Sequence, residues 1–276
     1  MKRLVVAVIV GSFAYSALAT TIPWQHYNFV GNPTLANGFD ATSAVSQRSM
    51  HEKGGGVMEG NARPMLNTIN GAGMYYVGGQ RVHTGAINDP EDTRSSYNGV
   101  TMGFQDGTPT GEPNPRGGTV AGSQWAEFGF DQPYDIKNVH IWNYNEGNQA
   151  YWAMQGMREV TIEVTNVGDG AGWGSTDASD WSVIFDGELA MGGTENLEAQ
   201  VLSVPSENAT FQYLVITSGL DDTMVNYMDA VLDGGAGTRH SIEAGLSEIM
   251  FEIVPEPSTL ALLGLGALAM VLRRRR

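Results

Sequence analysis

Gln124–Asn145 reads QWAEFGFDQPYDIKNVHIWNYN. Ala126, Phe128 and Phe130 fall on one face of an extended segment, the period-two spacing of a strand packed on one side. Asp131-Gln132-Pro133 predicts a turn that ends it, because these residue types favour chain reversal. Beyond that point Val139 and Ile141 face opposite to His140, Trp142 and Tyr144, which predicts a second strand. Working outward, Val160, Ile162 and Val164 alternate with Thr161, Glu163 and Thr165, as in a half-buried strand. Trp181, Val183 and Phe185 predict another strand with one buried face. Residues 211–217 (FQYLVIT) are apolar on both faces, as a central strand requires. Ile249, Phe251 and Ile253, alternating with Glu248, Met250 and Glu252, complete the series. Breaks such as Gly168-Asp169-Gly170 and Gly234-Gly235 separate these runs, and no helical periodicity of useful length lies between the chain ends. The expectation is an all-β fold, an antiparallel β-sandwich of jelly-roll type.

Composition narrows the chemistry. The 276 residues carry 30 Asp+Glu against 15 Lys+Arg, a net charge of −15. Six of the basic residues are Lys2, Arg3 and Arg273 to Arg276, so residues 20–254 hold nine basic against 29 acidic residues, a net −20. That surface repels phosphate backbones and excludes nucleic acid as a partner. With no cysteine, disulfides, thiolate metal sites and a cysteine nucleophile are excluded as well.

The two ends read as addresses. Met1-Lys2-Arg3, an apolar run from Leu4 to Leu18 and the small-x-small triplet Ala17-Leu18-Ala19 predict a signal peptide over residues 1–19. At the other end come Pro255-Glu256-Pro257, an apolar stretch and Arg273, Arg274, Arg275 and Arg276. Thr259 to Leu272 as a helix is roughly 21 Å long, short of the ~30 Å hydrocarbon core. One short C-terminal hydrophobic helix of that length suits transient handling in a membrane better than permanent anchoring. The arginines hold the C-terminus in the cytoplasm, leaving the domain on the outer side of the inner membrane. Residues 255–276 closely resemble the PEP-CTERM sorting signal of Gram-negative bacteria. The resemblance implies processing by the membrane enzyme exosortase and a final place at the cell surface or in the extracellular matrix of a biofilm.

A second resemblance covers residues 63–254. Met65 to Gly73 (MLNTINGAG), Gln124 to Phe130 followed by IKNVHIWNYN, Gly156 to Ile162 (GMREVTI), Trp181 to Phe185 and Gly245-Leu246-Ser247-Glu248-Ile249 occur in order. Together they resemble discoidin-like domains, the factor 5/8 type C or galactose-binding-like group. The resemblance implies a β-sandwich that binds carbohydrate. The disulfide that ties the ends of many animal members has no counterpart in a chain without cysteine, and Asp106–Ser123 and Trp173–Asp180 read as insertions. Residues 20–62 form an N-terminal extension without an assignment, either extra edge strands or a flexible lead-in.

No nucleophile elbow, H-E-x-x-H or phosphate-binding glycine loop occurs in the exported part, and the five histidines are widely spaced. The expectation is a protein that is not an enzyme. Two segments carry binding chemistry. The first, Asn143 to Trp152, leaves a strand and offers Glu146 and Asn148 beside the rings of Tyr151 and Trp152. Aromatic faces suit the C–H face of a sugar and planar polar groups suit its hydroxyls. The alternative for Tyr151 and Trp152 is burial in the core, whereas Trp142 lies in a strand motif and is expected inside. The second segment, Ile87 to Ser95, supplies Asn88, Asp89 and Asp92, hard oxygen ligands of the kind Ca²⁺ takes. Here the discoidin resemblance implies a structural calcium near an early loop, completed by a glutamate of the closing strand, and Glu248 holds the matching position. The other reading of this segment is a solvated acidic loop whose Asp89 and Asp92 act in turns.

Three functions follow from these features. The leading one is a non-catalytic carbohydrate-binding module at the surface or in the matrix, holding extracellular polysaccharide. The second is a structural acidic matrix component without a specific ligand site. The third is a cryptic polysaccharide hydrolase.

Overall fold

The strand that begins at Gln124 does not end at Pro133. In the computed structural model, which describes residues 29–30, 44–49, 68–69, 71, 74–77, 80–83, 102–104, 124–145, 153–193, 197–219, 226–227 and 244–254, it runs unbroken as β5, Gln124–Asn143. Its first part pairs with β1 (Val45–Ser49) on one side and β10 (Thr210–Ser218) on the other. Its second part pairs with β11 (Ala244–Ile253) and β9 (Gln200–Ser203). The predicted turn is corrected to a corner at which one strand passes from one sheet to the next. Residues 131–133 and 135 are exposed there, and the β5–β10 register shifts between Phe211 and Tyr213. Pro133, which has no N–H to give, falls at this interruption of the ladder, where its missing donor costs nothing.

The corner divides the structure into two layers. The first has the order β1-β5-β10-β6-β7, where β6 is Glu159–Thr165 and β7 is Ser182–Glu188. The second has the order β4-β11-β5-β9, where β4 is Met102–Phe104. A small sheet joins β2 (Met74–Val77), β3 (Gln80–His83) and β8 (Leu197–Glu198). Every named strand pairing is antiparallel. The fold is the antiparallel β-sandwich expected from the alternation of the sequence.

Phe251 of β11 closes the two layers on each other. Its ring lies 5.7 Å from that of Phe128 and 4.8 Å from that of Phe130, edge to face, and Phe130 in turn meets Phe211 at 5.7 Å. Such pairs add to the area they bury. Around them Ala126, Val139, Ile141, Ile162, Leu214, Ile216 and Ile249 are buried, which places the predicted inner faces inside.

The outer faces differ from expectation. In β6 the predicted solvent face carries Glu163 and Thr165, and both are buried. Residues 166–181 accompany this face, where Trp125, Trp181, Tyr213 and Val215 form a second apolar cluster. In β11, Glu248, Met250 and Glu252 are buried like the core residues between them. Val183 is the opposite case, predicted inside but 50% exposed. A β-bulge explains it: Ile162 faces Phe185 and Glu163 faces Val183, so Ile184 is an extra residue that breaks the alternation.

Part of the unassigned N-terminal extension belongs to the sandwich. Phe29 bridges to Glu252, the Val30 amide donates to the Phe251 carbonyl at 3.0 Å, and Val45 of β1 is buried in the core. The predicted signal peptide, residues 1–19, and the sorting segment, residues 255–276, lie outside the described residues. Among the described residues no helix is long and apolar enough to cross a membrane.

Candidate functional site

One end of the sandwich is built from the last residues of β5. Asn143, Tyr144 and Asn145 are buried where the chain leaves the sheet, and Ala153, Gln155, Gly156 and Met157 are buried where it returns. The segment that carries Glu146, Asn148, Tyr151 and Trp152 links these two stems in the sequence and itself lies outside the described residues.

The stems are locked by one amide. Asn143 Nδ2 donates to the carbonyl of Met157 at 2.7 Å and to that of Ala190 at 2.8 Å, while its Oδ1 accepts the Tyr144 N–H at 2.9 Å. Gly156 packs against this side chain so closely that a Cβ there would lie 2.7–2.9 Å from the Asn143 amide group. Gly156→Ala is therefore expected to push the Asn143 amide off its partners and cost about 2–3 kcal/mol, read by urea unfolding. A change below about 0.5 kcal/mol would show that the clamp is not needed.

The closing strand joins this end. Gly156 bridges to Gly245, Met157 N donates to the Gly245 carbonyl at 3.3 Å, and Asn145 N donates to Ser247 Oγ at 2.9 Å. Asn226 bridges to Met157, and the Tyr227 hydroxyl donates to the Leu189 carbonyl. Burial and the nearby Glu188 carboxylate push the Tyr227 phenol up to about 12, so it remains a donor across the physiological range.

Glu248, the described member of the calcium candidates, lies at the same end. It pairs in register with Trp142, is fully buried, and its Oε2 accepts the Gly71 N–H at 3.1 Å. Gly71 adopts φ 72°, the left-handed conformation that brings this turn to the strand. A buried carboxylate oxygen is suitable chemistry for a hard cation. Asn88, Asp89 and Asp92 lie outside the described residues. Among the described residues no group of three or more His, Asp or Glu side chains is arranged to hold a metal ion.

A separate charged group occupies the far part of β5 and β11. Glu252 Oε2 receives Asn138 Nδ2 at 2.6 Å and meets His140 Nε2 at 3.0 Å, and its Oε1 receives Lys137 Nζ at 2.9 Å. Burial alone raises the Glu252 pKa, but the contacts with His140, Asn138 and Lys137 outweigh it and hold the carboxyl at about 2. His140 is buried beside the Phe29 ring, 5.3 Å between centroids, so it is a packed side chain. Trp142 is wholly buried, as expected. The Asn143 clamp went unseen in the sequence, where Asn143 read as the start of a loop.

The comparisons with known proteins divide between tail and body. Residues 254–276 match the model of the PEP-CTERM protein-sorting motif, so the chain ends in that motif, the mark of an exported protein sorted to the cell surface. No curated protein matches the sequence. Among solved structures the chain is similar to the family 32 carbohydrate-binding module of Clostridium perfringens NanJ in complex with galactose, at 11% identity and TM-score 0.36, over 75% of this chain and 92% of that one. A SusE-like protein is similar at 13% identity and TM-score 0.42, over 74% and 95% of the two chains. A factor 5/8 type C domain of Bacteroides fragilis is similar at 14% identity and TM-score 0.31, over 59% and 77%. At these values the likeness concerns strand architecture.

Proposed function

We propose that this sorted surface protein is a non-catalytic carbohydrate-binding module whose ligand loop is residues 146–152. The observation that carries the reading is the locked stem. Asn143 and its three hydrogen bonds tie together the chain on either side of residues 146–152, a stretch rich in aromatic and amide side chains. Preorganised loops on a rigid frame lose little entropy on binding. Tyr151 and Trp152 stack on the sugar, and Glu146 and Asn148 bond its hydroxyls. A structural Ca²⁺, held by Asn88, Asp89, Asp92 and Glu248, ties the early acidic loop to the same end. Before exosortase processes the tail, the C-terminal helix holds the protein in the inner membrane, facing the periplasm. The processed domain then serves the surface or the extracellular polysaccharide matrix.

The test is affinity electrophoresis of the full chain, in mild detergent, through gels containing different polysaccharides, with calcium or chelator. Retardation in one polysaccharide is expected, with apparent affinity reduced about fivefold or more by Trp152→Ala. Retardation that vanishes with added salt and ignores Trp152→Ala would instead favour the acidic matrix component, whose net charge binds ions and hydrated polymer without a site.

A further inference from the structure

The outer face of the first sheet carries a second constellation, away from the loop end. Arg48 of β1 stands opposite Glu127 of β5, with Nε 2.5 Å from Glu127 Oε2. Glu127 is wholly buried, and its other oxygen accepts the Gly174 N–H at 2.7 Å. The Arg48 guanidinium is thereby held between two indoles, 5.8 Å from the centroid of Trp125 and 4.6 Å from that of Trp173. Trp125, Trp181 and Tyr213 on this face are buried, but Trp173 and Arg48 keep partial access to water.

The turn that leads into Trp173, residues 169–172, is exposed. Gly170 and Gly172 have φ of 81° and 101°, and a Cβ built on either meets nothing within 4 Å. Asp169 fixes the turn, its Oδ1 accepting the N–H groups of Ala171 at 2.7 Å and Trp173 at 3.0 Å, so an exposed residue holds its carboxylate beside the Trp173 backbone. The indole thus rests on a pinned cation and keeps partial access to water beside an exposed turn. On the other side of Trp173 the chain turns inward, since a Cβ on Gly174 would lie 2.6 Å from the Trp181 ring.

We propose that Trp173, backed by Arg48 and edged by Asp169, is a second carbohydrate-contact site that takes a neutral pyranose unit of a polysaccharide. The inference rests on the carbohydrate-binding reading and adds a separate surface to it. The sugar lays its C–H face on the indole and directs hydroxyls to the Asp169 carboxylate and the Arg48 edge. A neutral unit is chosen because Asp169 and the overall charge of −15 repel uronates and sulfates. Two sites on one rigid domain give avidity along a repeating polymer.

The full chain and its Trp173→Ala, Trp173→Phe and Trp152→Ala variants are compared in gels containing galactomannan, xyloglucan or alginate, with thermal melting as a control. The expected result is an apparent affinity about fivefold lower for Trp173→Ala in a neutral polysaccharide, most of it restored by Trp173→Phe. If Trp152→Ala weakens retardation and Trp173→Ala matches the unmodified chain, the second site is overturned and the loop-end reading stands. If Trp173→Ala weakens it while Trp152→Ala does not, the second site stands and the loop end fails. Equal losses in Trp173→Ala and Trp173→Phe with lowered melting make Trp173 structural and overturn the proposal. An unmodified chain that migrates freely in both neutral gels overturns it too.

Discussion

A chain that begins at residue 63 is expected to show no cooperative thermal unfolding transition. The resemblance to discoidin-like domains places the domain at residues 63–254, but the sandwich is not complete within them. Phe29, Val30 and Val45 are 5%, 1% and 3% exposed, each within the main core. Truncating a buried Phe alone costs about 3–5 kcal/mol, against a whole-domain stability of roughly 5–15 kcal/mol. Losing β1 also strips one edge of β5 of five cross-strand positions, Val45 to Ser49. Glu127 would stay buried with its Arg48 partner gone, a further loss of about 3–5 kcal/mol. The check is circular dichroism of the two chains against temperature, with size-exclusion chromatography to detect association through the bared edge. A sharp melt within a few degrees of the longer chain would show that residues 20–62 are dispensable.

That segment also marks how far the sequence could be read. Val45-Ser46-Gln47-Arg48-Ser49 has one apolar residue in five, so it carries no alternation to notice. It is a strand because an edge of β5 is open beside it, a tertiary reason that local pattern cannot contain. The inner face was legible because Phe128, Phe130, Ile249 and Phe251 repeat with period two in a sheet packed on that side. The outer faces were not, since Glu127, Glu163 and Glu252 look like solvent residues until partners and covering segments reach them. Asp131-Gln132-Pro133 has the composition of a turn, and the same composition serves a sheet corner, where exposure and a missing N–H are equally tolerated. At the loop end, Glu248 was singled out by its position in a resembling motif, whereas Asn143 and Gly156 act through a contact 13 residues apart in the chain.

Arg48→Met is expected to destabilise the domain by about 3–5 kcal/mol at pH 7, with the deficit shrinking steadily as the pH is lowered to 5. Methionine keeps an apolar stem beside the indoles but removes the guanidinium, and with it both the ion pair and the contacts with the two rings, so the pH dependence of the deficit is what isolates the ion pair. Burial already pushes the Glu127 pKa above the ordinary 4.5, with Arg48 and the Gly174 N–H pulling it partly back. Without Arg48 it rises further. An acid whose folded pKa is raised binds its proton more tightly folded than unfolded, so its penalty is full above the folded pKa and fades as pH falls toward 4.5. Glu252 runs the other way. Its folded value of about 2 lies below the unfolded 4.5, so its stabilisation is complete above pH 4.5 and is lost only in stronger acid. Urea unfolding between pH 5 and 8 therefore reads Glu127 with the Glu252 contribution constant. Adding Glu127→Gln to Arg48→Met is expected to restore most of the stability at pH 7 and flatten the pH dependence, because the buried charge itself is then gone. A deficit that is the same at pH 5 and pH 8 would mean that packing on Trp125 and Trp173, and not the charge of Arg48, holds β1 to the sandwich.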